Sequence, residues 1–147
     1  MIRCNARTLC CWLWLGASLA LVGCSRVPEL APVQGLVKYI VQPLSFCSVM
    51  FQGPSGPPAT GRIGEGGAFQ LEVRGLGPGA MVGLNRVRIS CYETQSPDFQ
   101  PSGEAEMSLG RSLIPLKYTN PRTSPLSVTV TPGDNQVSLE LTDGSDV

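Results

Sequence analysis

The chain has 147 residues, with 11 basic and 11 acidic side chains, six cysteines and no histidine. Histidine is the usual general base near neutral pH and the commonest metal ligand, so its absence excludes Ser-His-Asp and Cys-His catalytic groups and most zinc sites. The formal net charge is zero and the basic residues are scattered along the chain. This argues against a nucleic-acid partner, since phosphate binding needs a clustered basic face. The sequence predicts a non-enzymatic protein with no catalytic residue, metal site or cofactor.

The first 23 residues have the organisation of a signal peptide. Arg3 and Arg7 form a short positive region, and an apolar run follows over residues 9–22. This run is shorter than the roughly 20 residues that a membrane-spanning helix needs. A cleaved export signal is therefore expected in place of a permanent transmembrane anchor.

The signal ends in the tetrapeptide Leu21-Val22-Gly23-Cys24. This segment resembles a bacterial lipobox, which implies acylation of the Cys24 thiol, cleavage before Cys24 and anchoring to a membrane through several acyl chains. An ordinary cleaved signal followed by a chance cysteine is the alternative. Cys24 is followed by Ser25 in place of aspartate, which by the same resemblance implies the outer membrane, with the protein facing the periplasm.

Removal of residues 1–23 leaves enough chain for one domain and too little for two well-packed ones. Residues 24–33 contain prolines and little periodicity, so they are expected to form a lipidated tether. Residues 34–147 are expected to form the folded domain.

Within this domain, apolar and polar residues alternate with a period of two, which predicts strands and no helix. The expected strands cover residues 35–41, 46–52, 59–64, 68–74, 84–91, 126–130 and 137–141. Turns are expected at residues 42–44, at 65–67 as a hairpin, and at 132–135 as a hairpin joining the last two strands. Residues 93–110 lack periodicity and predict a long exposed loop. About seven short strands indicate an all-β fold, a single antiparallel β-sandwich of the Ig-like or prealbumin-like kind.

Six segments carry a likeness to a known family. They are Gly35-Leu36-Val37, Pro43-Leu44 leading into Val49 and Phe51, Gly67-Ala68-Phe69, Val87-Arg88-Ile89, the stretch from Leu113 to Tyr118 and the stretch from Asn120 to Leu126. Their order resembles the transthyretin-like, carboxypeptidase-regulatory-like β-sandwich domains of small bacterial lipoproteins. The resemblance implies a fold and a cell-envelope location, and it implies no catalytic residue.

Two cysteines remain in the domain besides Cys24. Cys47 and Cys91 both fall on the predicted inward face of their strands, in a protein expected to enter an oxidising compartment. A disulfide between them is one possibility. Two separate buried thiols that behave as small apolar side chains are the other.

Lys117, Tyr118 and Arg122 lie in the segment most like the family and form a candidate binding surface. The favoured interpretation of Tyr118 is that its ring packs on the domain.

Two groups of carboxylates are weaker candidates. Asp143 and Asp146, with Asp134, are compatible with a calcium site, but a solvated tail is favoured. The acidic loop residues, which are Asp98, Glu104 and Glu106, have no expected burial or fixed separation, so acid/base catalysis by them is disfavoured.

The sequence thus predicts a lipid-anchored scaffold or protein-interaction module of the cell envelope, with an envelope protein or a glycan as partner. A module that binds a small ligand or a carbohydrate is the alternative.

Overall fold

The computed structural model describes residues 29–100 and 109–144. The segment expected to be a signal peptide lies outside these residues, as do Cys24, Glu104, Glu106 and Asp146.

The described chain is mostly β-structure, as the alternating pattern predicts. Its strands are, in order, β1 (Leu30–Ala31), β2 (Val33–Tyr39), β3 (Gln42–Pro43), β4 (Ser48–Gln52), β5 (Ala59–Arg62), β6 (Ala68–Gln70), β7 (Glu72–Val73), β8 (Gly77–Pro78), β9 (Ala80–Met81), β10 (Gly83–Ser90), β11 (Ser127–Val130) and β12 (Asn135–Leu141). The helical segments are short 3₁₀ turns, at Glu65–Gly67, Glu93–Gln95 and Leu116–Thr119. No helix among the described residues is long and apolar enough to cross a membrane.

The larger sheet has six strands in the order β11-β10-β4-β5-β7-β8, and all its neighbours are antiparallel. The long strand β10 lies beside β4, with Val87 opposite Phe51 and Ile89 opposite Val49. These four side chains are buried. The alternation of this sheet therefore places one face on the core and leaves the other on the surface.

The second sheet has four strands, with β2 at its centre. Strand β12 lies on one side of β2, while β3 and β6 lie on the other. The pairing of β12 with β2 is parallel, from Asn135 opposite Val33 to Leu141 opposite Tyr39. The remaining pairings in this sheet are antiparallel.

The expected hairpin between the last two strands is wrong. β11 pairs with β10 in the six-stranded sheet, and β12 pairs with β2 in the four-stranded sheet. The turn between them is closed by the Asn135 side chain, whose Oδ1 accepts from the Thr131 backbone N–H at 3.0 Å. A turn residue pattern specifies a reversal of the chain, but it does not specify that the two flanking strands pair with each other.

Two further boundaries differ from the sequence expectation. Residues 68–74 form two strands in different sheets, since β6 pairs with β2 and β7 pairs with β5. The turn expected at residues 42–44 lies earlier, because Gln42 and Pro43 already pair with Tyr39 and Lys38.

The folded part also begins earlier than expected. β1 lies in the segment that the composition assigns to the tether, and it pairs with β9, with Leu30 opposite Met81 and Ala31 opposite Ala80. Ala31 is buried, as is Val33 at the start of β2. The first strand among the described residues thus lies close to Cys24 in the sequence.

Buried side chains of both sheets belong to one apolar cluster. Val37 and Leu139 contribute from the four-stranded sheet, and Phe51, Val87 and Ile89 contribute from the six-stranded sheet. Burial of these apolar surfaces supplies the main favourable free energy of folding.

Candidate functional site

Cys24, the cysteine expected to be acylated, precedes the described residues by a few positions. Five peptide units separate Cys24 from Glu29. The backbone carbonyl of Glu29 accepts a hydrogen bond from the Val82 N–H at 2.9 Å. A fully extended chain of that length reaches about 18 Å at most, so Cys24 is tied closely to the part of the domain around Val82.

Cys47 and Cys91 are joined by a disulfide. Cys47 directly precedes β4 and Cys91 directly follows β10, where Ser48 is the register partner of Ser90. The two Cα atoms are 4.6 Å apart, within the range that disulfides require. Both cysteines are buried. The bond covalently links β4 and β10 at one end of their pairing.

Tyr118 is buried, as in the favoured interpretation, so it is not part of an exposed binding surface. Its hydroxyl donates to the Thr142 carbonyl at 3.2 Å and accepts from the Thr142 N–H at 3.0 Å. The ring of a residue in the 3₁₀ turn Leu116–Thr119 therefore reaches the backbone just after β12. The Tyr118 hydroxyl thus provides a hydrogen-bond partner for both the backbone N–H and the backbone carbonyl of Thr142, just after the end of β12.

The chain after β12 has two further side-chain contacts. The Tyr39 hydroxyl donates to Asp143 Oδ1, and the Lys117 ammonium donates to the Gly144 carbonyl. The hydrogen bond to Asp143 raises the pKa of Tyr39 above its ordinary value, and desolvation adds to it. Lys117 Nζ also lies 5.1 Å from the centre of the Tyr118 ring, at cation–π distance. We refer to Tyr39, Lys117, Tyr118 and residues 142–144 as the terminal cluster.

Of the three residues expected to form a surface, the structure brings Lys117 and Tyr118 together, and both hydrogen-bond to the segment that follows β12. Arg122 is exposed and follows in the next turn, where its backbone N–H donates to Asn120 Oδ1 at 2.9 Å. The contacts described for Lys117 and Tyr118 hold the segment after β12 against the fold.

The carboxylates expected as a weak calcium candidate are not brought together. Asp134 precedes the seven-residue strand β12 and Asp143 follows it. A strand of that length separates its ends by about 20 Å. Among the described residues, no group of three or more potential metal-ligating side chains comes together.

The outward face of the six-stranded sheet carries a group of basic side chains that the sequence analysis did not single out. Arg86 and Arg88 project from β10, and Arg62 projects from β5, each between inward neighbours. We refer to the surface formed by these three arginines as the arginine face. Among the described strand residues on this side, the carboxylate is that of Glu72 on β7. The signal for it was the alternation Arg86-Val87-Arg88-Ile89, which already puts two arginines on one side of a strand.

Two details show that these arginines are not neutralised by neighbours. Within residues 29–100 and 109–144, the structure contains an ion pair between Arg111 and Glu93, with Nε and Oε1 3.1 Å apart, and none that involves the arginine face. The Nε of the half-buried Arg88 is buried without a hydrogen-bond partner. Within the described residues, the positive charge of this face is thus not paired with a carboxylate.

A shallow cleft of about 590 Å³ lies on the outward side of the four-stranded sheet. Gln136, Gln34 and Gln70 line it from three adjacent strands, because Gln34 is the register partner of both others. We refer to these three side chains as the glutamine row. Arg62 lines the same cleft. Amide side chains donate and accept hydrogen bonds, so this surface has the chemistry to contact a polyhydroxylated ligand.

No protein family, no curated protein and no solved structure matches this chain.

Proposed function

We propose that this chain is a membrane-anchored lipoprotein of the cell envelope. Its folded part acts as a scaffold or protein-interaction module without enzymatic activity, facing the periplasm from the outer membrane. The observation that carries the proposal is the short covalent path from the lipobox Cys24 to Glu29, whose carbonyl is already hydrogen-bonded to Val82. An acylated Cys24 would hold the domain directly at the membrane surface.

The disulfide supports the export part of this proposal. Disulfides persist in oxidising compartments and are rare where thiols are kept reduced. The bond between Cys47 and Cys91 is therefore more typical of an exported domain than of a cytosolic one.

At the level of the fold, we propose that the two sheets form a β-sandwich of the transthyretin-like kind. The single apolar cluster shared by both sheets supports this, as does the passage of the chain from β5 to β6, which leads from one sheet to the other. Both features are typical of two sheets packed face to face.

A carbohydrate-binding or small-ligand module is the second candidate function, and the cleft with the glutamine row favours it. In this function the ligand would lie across three strands and exchange hydrogen bonds with Gln34, Gln70 and Gln136. Binding of this kind relies on polar groups aimed from a rigid scaffold.

Acyl labelling tests the anchor. The wild-type chain should incorporate labelled fatty acid in a bacterial host and fractionate with membranes, whereas Cys24→Ala should do neither. Cys4→Ala is the matched control, since Cys4 precedes the cleavage point, and it should behave as wild type. Equal labelling of all three proteins would contradict the proposal.

A thermal-shift panel of glycans separates the two functions. Stabilisation of wild type by a glycan, lost in Gln70→Ala and retained in the control Gln100→Ala, would favour the carbohydrate-binding module. Cross-linking in intact cells to one defined envelope protein, without any glycan-dependent shift, is the result expected for the interaction module.

A further inference from the structure

Charge is distributed unevenly over the described surface. The arginine face carries three arginines and one glutamate, while the remaining described residues carry five basic and seven acidic side chains. The arginines are scattered in sequence, and the register of β5, β4 and β10 brings them to one surface. One side of a nearly neutral domain is therefore positive and the rest is negative.

The tether joins the domain beside this surface. Val82, which donates to the Glu29 carbonyl, directly precedes β10. Leu84 projects outward from the first part of β10 and is 59% exposed, opposite Thr129 of β11. An exposed apolar side chain thus lies at the end of the arginine face where the tether joins.

The short tether and the distribution of charge favour one orientation of the domain relative to the membrane. The tether holds the domain within about 18 Å of an acylated Cys24. At that distance the effective concentration of headgroups is high, so a weak attraction is enough to orient the domain. Basic side chains near an anionic membrane surface are attracted to it.

We propose that the arginine face lies against the anionic headgroups of the membrane that holds the lipid on Cys24. Arg62, Arg86 and Arg88 contact phosphate groups, and Leu84 inserts at the tether end. The inference rests on the proposed lipid anchor and adds to it an orientation.

Tryptophan fluorescence can measure this orientation. Trp12 and Trp14 both precede Cys24, so the processed chain has no tryptophan of its own. Single probes are placed at three exposed positions: Thr129→Trp on the arginine face, Ser138→Trp on the outward side of β12, and Ser55→Trp in the turn between β4 and β5. The acylated proteins are reconstituted into vesicles of phosphatidylglycerol and phosphatidylcholine that contain a lipid with a nitroxide on its headgroup.

The Thr129 probe should be quenched most strongly in these vesicles. The difference should shrink in phosphatidylcholine vesicles and at high ionic strength, because salt screens the attraction. Strongest quenching at Ser138 or Ser55 would overturn the proposal. The outward side of β12, or the turn between β4 and β5, would then be the part of the domain nearest the membrane. Absence of quenching at all three probes would also overturn it, in favour of an anionic partner in the aqueous phase.

A charge variant tests the cause of the orientation. Arg62→Gln with Arg86→Gln, carried in the Thr129→Trp protein, should lower the preference for the arginine face about five-fold for each arginine removed. The control is Lys38→Gln with Arg122→Gln, which removes the same charge from exposed positions elsewhere and should leave the preference unchanged. Equal losses in both variants would overturn the assignment of the attraction to this face.

The mass of each purified protein separates the two proposals. A chain without acyl groups on Cys24 refutes the anchor and the orientation together. An acylated chain that shows no preference for the arginine face refutes only the orientation.

Discussion

Two residues on either side of β3 have backbone angles that side chains rarely adopt. Ile40 and Phe46 both have φ of 61°, in the left-handed region. Ile40 is a β-branched residue, for which this region is particularly unfavourable. It is 57% exposed, and its backbone N–H donates to the Leu141 carbonyl at 2.8 Å. The left-handed conformation of Ile40 therefore destabilises the folded state. The mostly exposed side chain offsets little of this free energy by burial.

Ile40→Asn should stabilise the protein. Asparagine tolerates the left-handed region, whereas the conformation costs other side chains about 1–2 kcal/mol. We expect the free energy of unfolding to rise by about 1 kcal/mol in urea titrations. Val41→Asn is the control at the neighbouring exposed position and should give no gain. A loss of stability in Ile40→Asn would show that the isoleucine side chain makes contacts that outweigh the strain.

The contact of Tyr39 with Asp143 predicts a pH effect. Because the pKa of Tyr39 is raised in the folded state, the protonated hydroxyl contributes stability that is complete below the unfolded pKa of about 10. This contribution is lost as the pH rises through the higher folded pKa. Unfolding measured between pH 9 and 11 should therefore show a steeper alkaline loss for wild type than for Tyr39→Phe. Identical profiles would mean that Asp143 does not hold the proton on Tyr39 in solution.

Single residues show why part of this structure could be predicted. The alternation that places Val87, Ile89 and Cys91 inward extends to Asn85, which is buried with its Nδ2 bonded to the Met81 and Gly83 carbonyls at 2.8 and 2.9 Å. Its position follows from the period of the strand, but its partners do not. They come from a turn whose geometry depends on the surrounding fold.

At the scale of elements, the close approach of β2 and β12 depends on a glycine. A Cβ atom on Gly35 would lie 2.0 Å from the Val137 carbonyl oxygen and 3.0 Å from a ring carbon of Phe69. Both neighbours belong to strands that pair with β2 at this residue. Any side chain at position 35 must therefore push a strand or the buried ring away.

Gly35→Ala should lower the free energy of unfolding by about 3 kcal/mol, the upper part of the usual range for overpacking. Gly64→Ala is the matched control, because a Cβ there would have its nearest neighbour, the Ala68 carbonyl oxygen, at 3.7 Å. It should change stability by less than about 1 kcal/mol. Equal effects in thermal unfolding would contradict the parallel register of β2 and β12.

The alternation of apolar and polar side chains predicted most strand positions. It did not predict which strands pair with each other. Strands β2, β4, β5, β10, β11 and β12 overlap the segments expected from the sequence, although β2, β10 and β12 begin one or two residues earlier. The last two were wrongly joined because a hairpin and a crossing to another sheet present the same turn residues. β1, β8 and β9 were missed, since two residues are too few to show a period of two.

On the scale of the whole molecule, the disulfide closes a large loop. Cys47 and Cys91 are separated by 44 residues. This loop contains β4, β5 and the chain that carries β6 to β10. Cross-linking it reduces the conformational freedom of the unfolded chain, which in the chain-entropy account stabilises the fold by about 4 kcal/mol.

The double variant Cys47→Ala/Cys91→Ala should therefore be less stable than wild type by about 4 kcal/mol in denaturant titrations. Wild type should lose a similar amount when a reductant is added, whereas the variant should not respond to it. If free-thiol labelling finds both cysteines reactive in the unreduced wild-type protein, the disulfide does not form in solution.

The arginine face belongs to this scale as well, and the sequence analysis did not anticipate it. Arg62 and Arg88 are far apart in the chain, and only the antiparallel register through β4 puts them on one surface. The sequence gives the number of charged side chains. The electrostatic potential of a surface depends in addition on which strands lie next to each other.

The parallel pairing of β2 with β12 also has a consequence for synthesis. The second strand of the domain finds its longest partner only in the last one, about a hundred residues later. Such a high contact order delays completion of the four-stranded sheet until the chain has been made as far as β12. Until then, a nascent chain lacks the partner that covers one whole edge of β2. Deletion of the last strand would leave the core open along the whole length of β2.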